Sequence, residues 1–174
     1  MRALVSAMLA RFLAPRIVGN SAILLSRVVF TKSTGGKHYI IQDAAMNDLI
    51  RPTLYGSFHR AWPVTPSADV PVSPDVNGDP DDPQPFRAMP NCFNQDVVGP
   101  VCESGDYLAK DRPLPAMKRG DLLAVFSAGA YGMAMASNYN KVGRPPVVFL
   151  REGTARAVVL RETDEMLVMR DLEL

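Results

Sequence analysis

Apolar and β-branched residues mix with polar ones along the first part of the chain without a helical period, and this pattern predicts strands. We expect one long strand, or two joined ones, over Ile17–Lys32 and another over His38–Asp43. The turn Thr34–Lys37 contains two glycines and should close the pair into a hairpin. Asn47–Tyr55 contains Pro52, so it predicts one helical turn and a bend.

Short apolar runs separated by turn residues continue towards the C-terminus. They predict further strands, a last hairpin around Glu152-Gly153, a small and flexible stretch, and a closing helix with an N-cap. A polar turn should separate the second and third of these strands. The segments are Ser57–Val64, Gln95–Val101 and Leu122–Phe126 for the strands, Pro145–Leu150 and Ala155–Arg161 for the hairpin, Ala128–Ala136 for the flexible stretch, and Thr163–Leu172 for the helix. Many short strands with few helices predict a mainly β fold, an antiparallel, Greek-key-like β-barrel or sandwich.

Proline marks one segment that does not fit this pattern. Eight of the 15 prolines lie between Pro63 and Pro90, together with several aspartates. Such a composition cannot bury enough apolar surface to order itself. We therefore expect a long exposed loop inserted at about residues 64–92, either a bland insertion or a Pro-rich ligand for a partner.

Composition limits the classes of function. With 174 residues, 47% of them hydrophobic, the chain suits one globular domain, and its net charge of +1 provides no field for nucleic acid or an anionic membrane. Two cysteines and two histidines are too few for a disulfide framework or a metal site. No apolar run approaches the roughly 18 residues of a membrane span. We expect a cytoplasmic protein with no metal, no membrane contact and no nucleic acid partner.

A few polar residues within this β pattern could carry chemistry. Cys102 is either a small buried hydrophobe or a thiol that exchanges protons with the adjacent Glu103 at a strand end. Arg51 either forms a surface salt bridge or binds a substrate carboxylate, with the hydroxyl of Tyr55 as a second donor. Tyr131, between two glycines, is either an exposed loop aromatic or a ring against a ligand.

Taken together, the sequence motifs that contain these residues are specific enough to indicate a protein family. The strings DAAMNDLIRPTLY, VVGPVCESGDYLAKDRPLP, KRGDLLAVFSAGAYGMAMASNYN and RPPVVFL occur in this order. They closely resemble the C-terminal part of the diaminopimelate decarboxylases, which belong to the pyridoxal-phosphate enzymes with the alanine-racemase-like fold. The combination of CESGD, GAYGM and SNYN favours this family over its ornithine and arginine relatives.

The resemblance implies a role for each candidate. Cys102 matches the proton donor, and Glu103 matches the residue that binds the distal ammonium of the substrate. Arg51 and Tyr55 match the pair that binds the distal carboxylate, and Tyr131 matches a tyrosine that contacts cofactor and substrate. The implied substrate is meso-diaminopimelate, which becomes L-lysine and CO2 in lysine biosynthesis. Its two charges far from the reacting carbon agree with a site that has both an Arg and a Glu.

The resemblance also implies what this sequence does not contain. In the family, an N-terminal (β/α)8 barrel holds pyridoxal 5'-phosphate on a lysine, and active sites form at a dimer interface. No lysine here lies in such a motif, and the chain is too short for a barrel of about 250 residues. We expect residues 1–16 to be a divergent segment, residues 17–174 to be the C-terminal β-domain, and the chain to need a barrel-bearing half or a full-length subunit for turnover.

Two alternatives stay open. The chain could be a non-catalytic β-domain that serves as an interaction or dimerisation module through its Pro-rich loop. It could also be a fragment of a related ornithine, arginine or carboxynorspermidine decarboxylase.

Overall fold

The computed structural model describes residues 17–70 and 90–171. The predicted divergent segment 1–16 and most of the predicted insertion lie outside these residues. The strands are β1 (Leu24–Thr34), β2 (Lys37–Gln42), β3 (Ala61–Pro63), β4 (Cys92–Val98), β5 (Tyr107–Pro115), β6 (Leu122–Val125), β7 (Val147–Arg151) and β8 (Thr154–Val159). The helices are α1 (Arg51–Tyr55), α2 (Gly132–Met135) and α3 (Asp164–Val168), with single 3-10 turns at Gly19–Ser21 and Tyr139–Lys141.

Six strands form one sheet in the order β3-β6-β1-β2-β4-β5, a nearly closed β-barrel, and β7 pairs with β8 in a separate hairpin. The predicted fold class, a mainly β, antiparallel barrel with few short helices, is confirmed. One pair departs from the antiparallel pattern: β2 and β4 run parallel, with Tyr39 opposite Asp96. A parallel pair needs a long crossover, and the chain from α1 through β3 provides it.

The core lies on the inner face of the barrel. Val28, Ile40, Val97, Leu108 and Leu123 are each 0% exposed and come from five different strands. They belong to one continuous apolar cluster, which also includes Trp62. Because strand side chains alternate between faces, these residues fix which side of each strand faces inward.

The predicted hairpin of β1 and β2 is confirmed, but the start of β1 is corrected. The strand begins at Leu24, and Gly19–Ser21 before it forms a 3-10 turn. The hydroxyl of Ser21 donates to the carbonyl of Val18 at 2.7 Å, and the amide of Gly129 donates to the carbonyl of Gly19 at 3.0 Å. These bonds satisfy the carbonyls of Val18 and Gly19 without a sheet partner.

The predicted polar turn between β4 and β6 is wrong in part, because this segment contains a nine-residue strand, β5. Pro113 and Pro115 lie within β5, although proline cannot donate to a ladder. β5 is an edge strand of the sheet, however, and an edge tolerates proline where the missing donor faces outward. The strand predicted over Ser57–Val64 is also shorter than expected, being limited to Ala61–Pro63.

The last hairpin follows its prediction, whereas the closing helix predicted over Thr163–Leu172 ends at Val168. β7 and β8 form the last hairpin, and Glu152 and Gly153 make its turn. Thr163 caps α3 by accepting a bond from the amide of Met166 at 3.4 Å. The flexible stretch predicted over Ala128–Ala136 contains the short helix α2.

Candidate functional site

Arg51 begins α1 and lies between two aromatic rings. Its guanidinium carbon is 5.5 Å from the ring centre of Tyr55 and 5.0 Å from that of Tyr131. Pro52 follows within the first helical turn, where proline fits because its missing N–H would have no helical partner. Within residues 17–70 and 90–171, Arg51 has no carboxylate in ion-pair range. The structure thus presents a half-buried, oriented cation with its hydrogen-bond donors uncommitted to an acid.

Tyr131 reaches this position through an unusual backbone. It has φ +66°, the left-handed region, and precedes α2 as its N-cap. Gly129, two residues earlier, packs so closely that a Cβ there would lie 2.6 Å from Ser21 Oγ. Strain of this kind persists where the surrounding structure holds it, and it occurs often in binding sites. The 129–132 segment borders an open cavity of about 690 Å³, which most of β7, from Val147 to Leu150, also lines.

Cys102 and Glu103 lie exposed on the loop between β4 and β5, so Cys102 is not a buried hydrophobe. The buried carboxylate of Asp106 holds this loop. Its Oδ2 accepts the amide of Val101 and its Oδ1 accepts the amide of Met46, both at 2.8 Å. Burial raises the pKa of Asp106, while the two backbone donors oppose that shift.

The carboxylate of Glu103 has two donors of its own. Oε1 accepts the amide of Gly105 at 3.2 Å, and Oε2 accepts the hydroxyl of Tyr139 at 3.1 Å. These bonds to Gly105 and Tyr139 lower the pKa of Glu103. Glu103 therefore stays an anion at neutral pH, open to solvent and fixed in direction.

Direct contacts join α1 to the 99–106 loop. The hydroxyl of Thr53 donates to the carbonyl of Gly105. The hydroxyl of Tyr107 donates to the carbonyl of Pro52 at 3.0 Å. These bonds connect the helix that carries Arg51 to the end of the loop that carries Glu103 and to the first residue of β5.

The structure brings the predicted residues together in two groups. Arg51, Tyr55 and Tyr131 form the first, and Cys102 and Glu103 belong to the second. Arg51 contacts neither Cys102 nor Glu103 in the described part of the chain. Each group thus presents its own surface.

Three residues near the site had no role in the sequence prediction. Asp106 and Tyr139 both lie in quoted motifs, CESGD and SNYN, yet only the fold shows what they contact. His59 was expected in a strand, but it lies before β3, buried, with Nδ1 2.9 Å from the carbonyl oxygen of Phe126. Burial and the nearby charge of Arg51 lower its pKa, against the raising effect of that hydrogen bond.

The residues present fit only part of a pyridoxal-phosphate site. Tyr131 is an aromatic side chain beside a cavity and suits a cofactor contact. A Schiff-base lysine must face such a site, but all five lysines of the chain are exposed and lie elsewhere, and Lys37 pairs with Asp96 at 3.4 Å. The covalent attachment is therefore not provided by this chain.

The described residues contain no group of three or more His, Cys, Asp or Glu side chains that could hold a metal ion. None of their helices is long and apolar enough to cross a membrane.

Comparison with known proteins gives a consistent result. Residues 16–129 match the family model of the pyridoxal-dependent decarboxylase C-terminal sheet domain. A diaminopimelate decarboxylase of Aquifex aeolicus is 39% identical over 91% of the chain and 33% of its own length. One of Pseudomonas aeruginosa is 47% identical over 84% of the chain and 30% of its own length.

A solved structure adds the same likeness in three dimensions. Diaminopimelate decarboxylase of Helicobacter pylori, in complex with L-lysine, aligns with a TM-score of 0.72 at 34% identity. The alignment covers 89% of this chain and 33% of that one. The chain thus spans about a third of the length of the relatives that it matches.

Proposed function

Because the chain belongs to the pyridoxal-dependent decarboxylase family, of which it contains the C-terminal sheet domain, we propose that it is the substrate-selecting part of a diaminopimelate decarboxylase. The proposed whole enzyme is a carboxy-lyase that converts meso-diaminopimelate to L-lysine and CO2. One observation carries the proposal: the guanidinium of Arg51 lies between the rings of Tyr55 and Tyr131 with no acid paired to it in the described residues.

This arrangement suits a carboxylate ligand. A guanidinium presents its N–H groups in a planar fork that matches the two oxygens of a carboxylate. Cation–π contact with the two rings helps to hold the guanidinium of Arg51 in place. The exposed Tyr55 can add a hydroxyl donor to the same anion. Arg51 and Tyr55 would thus bind the distal carboxylate of the substrate.

The Glu103 loop suits the other distal charge and the proton transfer. The Glu103 carboxylate is an exposed, oriented anion and would bind the distal ammonium. Cys102 is adjacent, exposed and free, so its thiol would deliver a proton to the α-carbon after CO2 leaves. Pyridoxal 5'-phosphate, when bound by the whole enzyme, supplies the electron sink for the decarboxylation.

The proposal includes partners. Since Arg51 and Glu103 belong to two separate groups, and the chain has no cofactor lysine in a site, each active site would need further protein. We propose an N-terminal barrel-bearing half or a full-length subunit, with the 99–106 loop reaching into a second subunit of a homodimer.

A chimera tests this function. In the Pseudomonas aeruginosa relative, the C-terminal sheet domain would be replaced by this chain, and CO2 release from meso-diaminopimelate would be measured. The chimera should release CO2, while the chain alone, mixed with pyridoxal phosphate and substrate, should show neither CO2 nor Schiff-base absorbance. A chimera that folds and binds the cofactor without decarboxylating would refute the proposal, and so would turnover by the chain alone.

The ornithine and arginine alternative is tested in the same chimera. Ornithine carries a distal ammonium and no distal carboxylate, so it would leave Arg51 without a partner. If CO2 were released from ornithine as fast as from meso-diaminopimelate, the proposed substrate would be wrong and the ornithine alternative would be favoured.

The interaction-module alternative has its own supporting observation. The β7–β8 hairpin exposes apolar side chains, with Phe149 62% and Leu150 76% exposed. Large exposed apolar surfaces mark interaction sites. This alternative would be favoured over the decarboxylase function if no neighbouring reading frame encodes a barrel that carries the cofactor lysine.

A further inference from the structure

The aromatic ring of Tyr139 lies beside the Cys102–Glu103 loop, although it belongs to a distant part of the chain. Its hydroxyl donates to Glu103 Oε2 at 3.1 Å. We propose that Tyr139 is a positioning residue that orients the Glu103 carboxylate and thereby sets the selectivity for a substrate with a distal ammonium. The selectivity step rests on the proposed function, whereas the positioning step concerns this chain alone.

The turn that carries Tyr139 is fixed at both ends. At its start, the amide of Ser137 donates to the carbonyl of Asn47 at 2.9 Å. At its end, the side chain of Asn138 donates to the carbonyl of Val142 at 3.1 Å. The positive φ of Asn140, +57°, turns the chain sharply between them. The backbone at Tyr139 consequently has a defined place, from which the half-exposed side chain reaches Glu103.

A charged anchor supports this turn from the segment after β8. Glu162 accepts the backbone amide of Arg144 at 2.9 Å and its Nε at 2.8 Å. The same carboxylate accepts the side-chain amide of Asn138 at 2.5 Å. The partly buried carboxylate of Glu162 thus connects both ends of the Tyr139 turn to the C-terminal segment.

Orientation matters because Glu103 is otherwise exposed. A free glutamate side chain loses rotamer freedom when it binds a ligand, and that loss weakens binding. The bonds from Tyr139 and the Gly105 amide remove this freedom before the substrate arrives. Each carboxylate oxygen can accept more than one bond, so Glu103 retains capacity for an ammonium.

The electrostatics of the pair agree with this geometry. The Gly105 amide and then the Tyr139 hydroxyl lower the pKa of Glu103. Glu103 in turn raises the pKa of Tyr139, chiefly through the same hydrogen bond. The phenol therefore remains a protonated donor and the carboxylate remains an anion across the neutral range.

The first experiment measures the contact without any substrate. The chain, labelled with 13C at the glutamate side chains, is titrated by NMR as the unmodified protein and as Tyr139→Phe. The pKa of Glu103 should rise in Tyr139→Phe and stay unchanged in Tyr39→Phe, a matched control on β2. An unchanged Glu103 pKa in Tyr139→Phe would overturn the positioning role.

The reciprocal variant guards against a folding failure of Tyr139→Phe. In Glu103→Gln, the raised pKa of Tyr139 should fall towards the ordinary tyrosine value, measured by 13C at the ring. A Tyr139 pKa that does not move would also contradict the contact.

The second experiment tests selectivity in the chimera. Tyr139→Phe should raise KM for meso-diaminopimelate roughly fivefold, because an unoriented Glu103 must lose its rotamer freedom on binding, with kcat nearly unchanged. KM for 2-aminopimelate, which keeps the distal carboxylate and lacks the distal ammonium, should not change. An equal rise in KM for both compounds, or none for either, would overturn the selectivity role.

The two experiments separate the possible failures. An unsubstituted chimera that folds and binds the cofactor without decarboxylating would refute the proposed function, and the NMR titration would still decide whether Tyr139 positions Glu103.

Discussion

The carboxylate of Asp106 fills the space into which a side chain at Gly99 would grow. A Cβ added at Gly99 would meet Asp106 Oδ2, and it would lie 2.6 Å from both the Cα and the Cβ of Ala45. The amide of Gly99 also donates to the carbonyl of Asp106 at 3.3 Å. The two residues thus close the base of the loop that presents Cys102 and Glu103.

Substitution of Gly99 should therefore disturb this loop. Gly99→Ala forces a methyl group against the backbone of Ala45, so we expect a loss of about 1–3 kcal/mol in the free energy of unfolding. Urea denaturation followed by circular dichroism measures it. Gly132→Ala is the control, because a Cβ there would meet its nearest atoms at an ordinary 3.8 Å. Equal stability of the two variants would show that the loop base can relax.

The acid itself can be tested by an isosteric change. Asp106→Asn replaces one acceptor with an amino group that faces a backbone N–H, of either Met46 or Val101. We expect a loss of about 1–3 kcal/mol in the free energy of unfolding, because a buried amide is left without a partner. Asp111→Asn, at an exposed position, should change it little. Hydrogen exchange should show faster exchange of the Met46 and Val101 amides in Asp106→Asn only.

The cation site is tested by Arg51→Lys in the chimera. Lysine keeps the charge but loses the planar fork and the stacking on two rings. KM for meso-diaminopimelate should rise about tenfold, and kcat should change much less. Arg156→Lys on the exposed strand β8 is the matched control. If KM stays constant in Arg51→Lys, the distal carboxylate binds elsewhere.

Acidic pH should remove the stabilisation that the ionised carboxylate of Glu162 provides. Hydrogen bonds from the side chain and backbone of Arg144 lower the pKa of Glu162 from 4.5 to about 2. A lowered folded-state pKa stabilises the protein above the unfolded value and loses that effect as pH falls through the folded value. The stabilisation should be complete above about pH 5 and decline from there towards pH 2.

The pH effect can be isolated by comparison. In Glu162→Gln, the pH dependence of the unfolding free energy between pH 5 and 2 should be shallower than in the unmodified chain. Glu152→Gln, in the exposed β7–β8 turn, should keep the original slope. A slope that Glu162→Gln leaves intact would mean that other carboxylates cause the acid response.

The core and the exposed segment after β8 should respond differently to the same substitution. Leu108 is 0% exposed and Leu160 is 74% exposed. Leu108→Ala removes buried contacts and leaves a cavity, so it should cost about 2–5 kcal/mol of unfolding free energy. Leu160→Ala should cost less than about 0.5 kcal/mol. A large effect at Leu160 would indicate that this residue is buried in solution.

The sequence predicts the fold best where local signals and burial agree. The β1–β2 hairpin follows from its glycine turn, and Gly35 and Gly36 do adopt positive φ values of 58° and 75°. β5 escapes prediction because its prolines are acceptable only at a sheet edge, and edge position is a property of the assembled sheet. Local sequence patterns likewise do not predict the parallel pairing of β2 with β4.

The candidate site is likewise predictable from the sequence only in part. The motif strings point to Arg51, Tyr55, Cys102, Glu103 and Tyr131, whose roles stay proposals. The residues that support them are harder to find: Asp106 acts through backbone amides from two loops, and Tyr139 contacts a residue far away in sequence. Such contacts arise only when the chain folds back on itself.

The parallel pairing of β2 with β4 also bears on the order of folding. Antiparallel neighbours such as β1 and β2 meet through a short turn, so they can pair early and locally. The ladder that places Tyr39 opposite Asp96 can close only after the whole crossover, with α1 and β3, has returned to the start of β2. Closure of a long loop carries an entropic cost that local pairs avoid, and contacts of this range slow folding. The helix that presents Arg51 is therefore expected to reach its final place late, when the barrel closes.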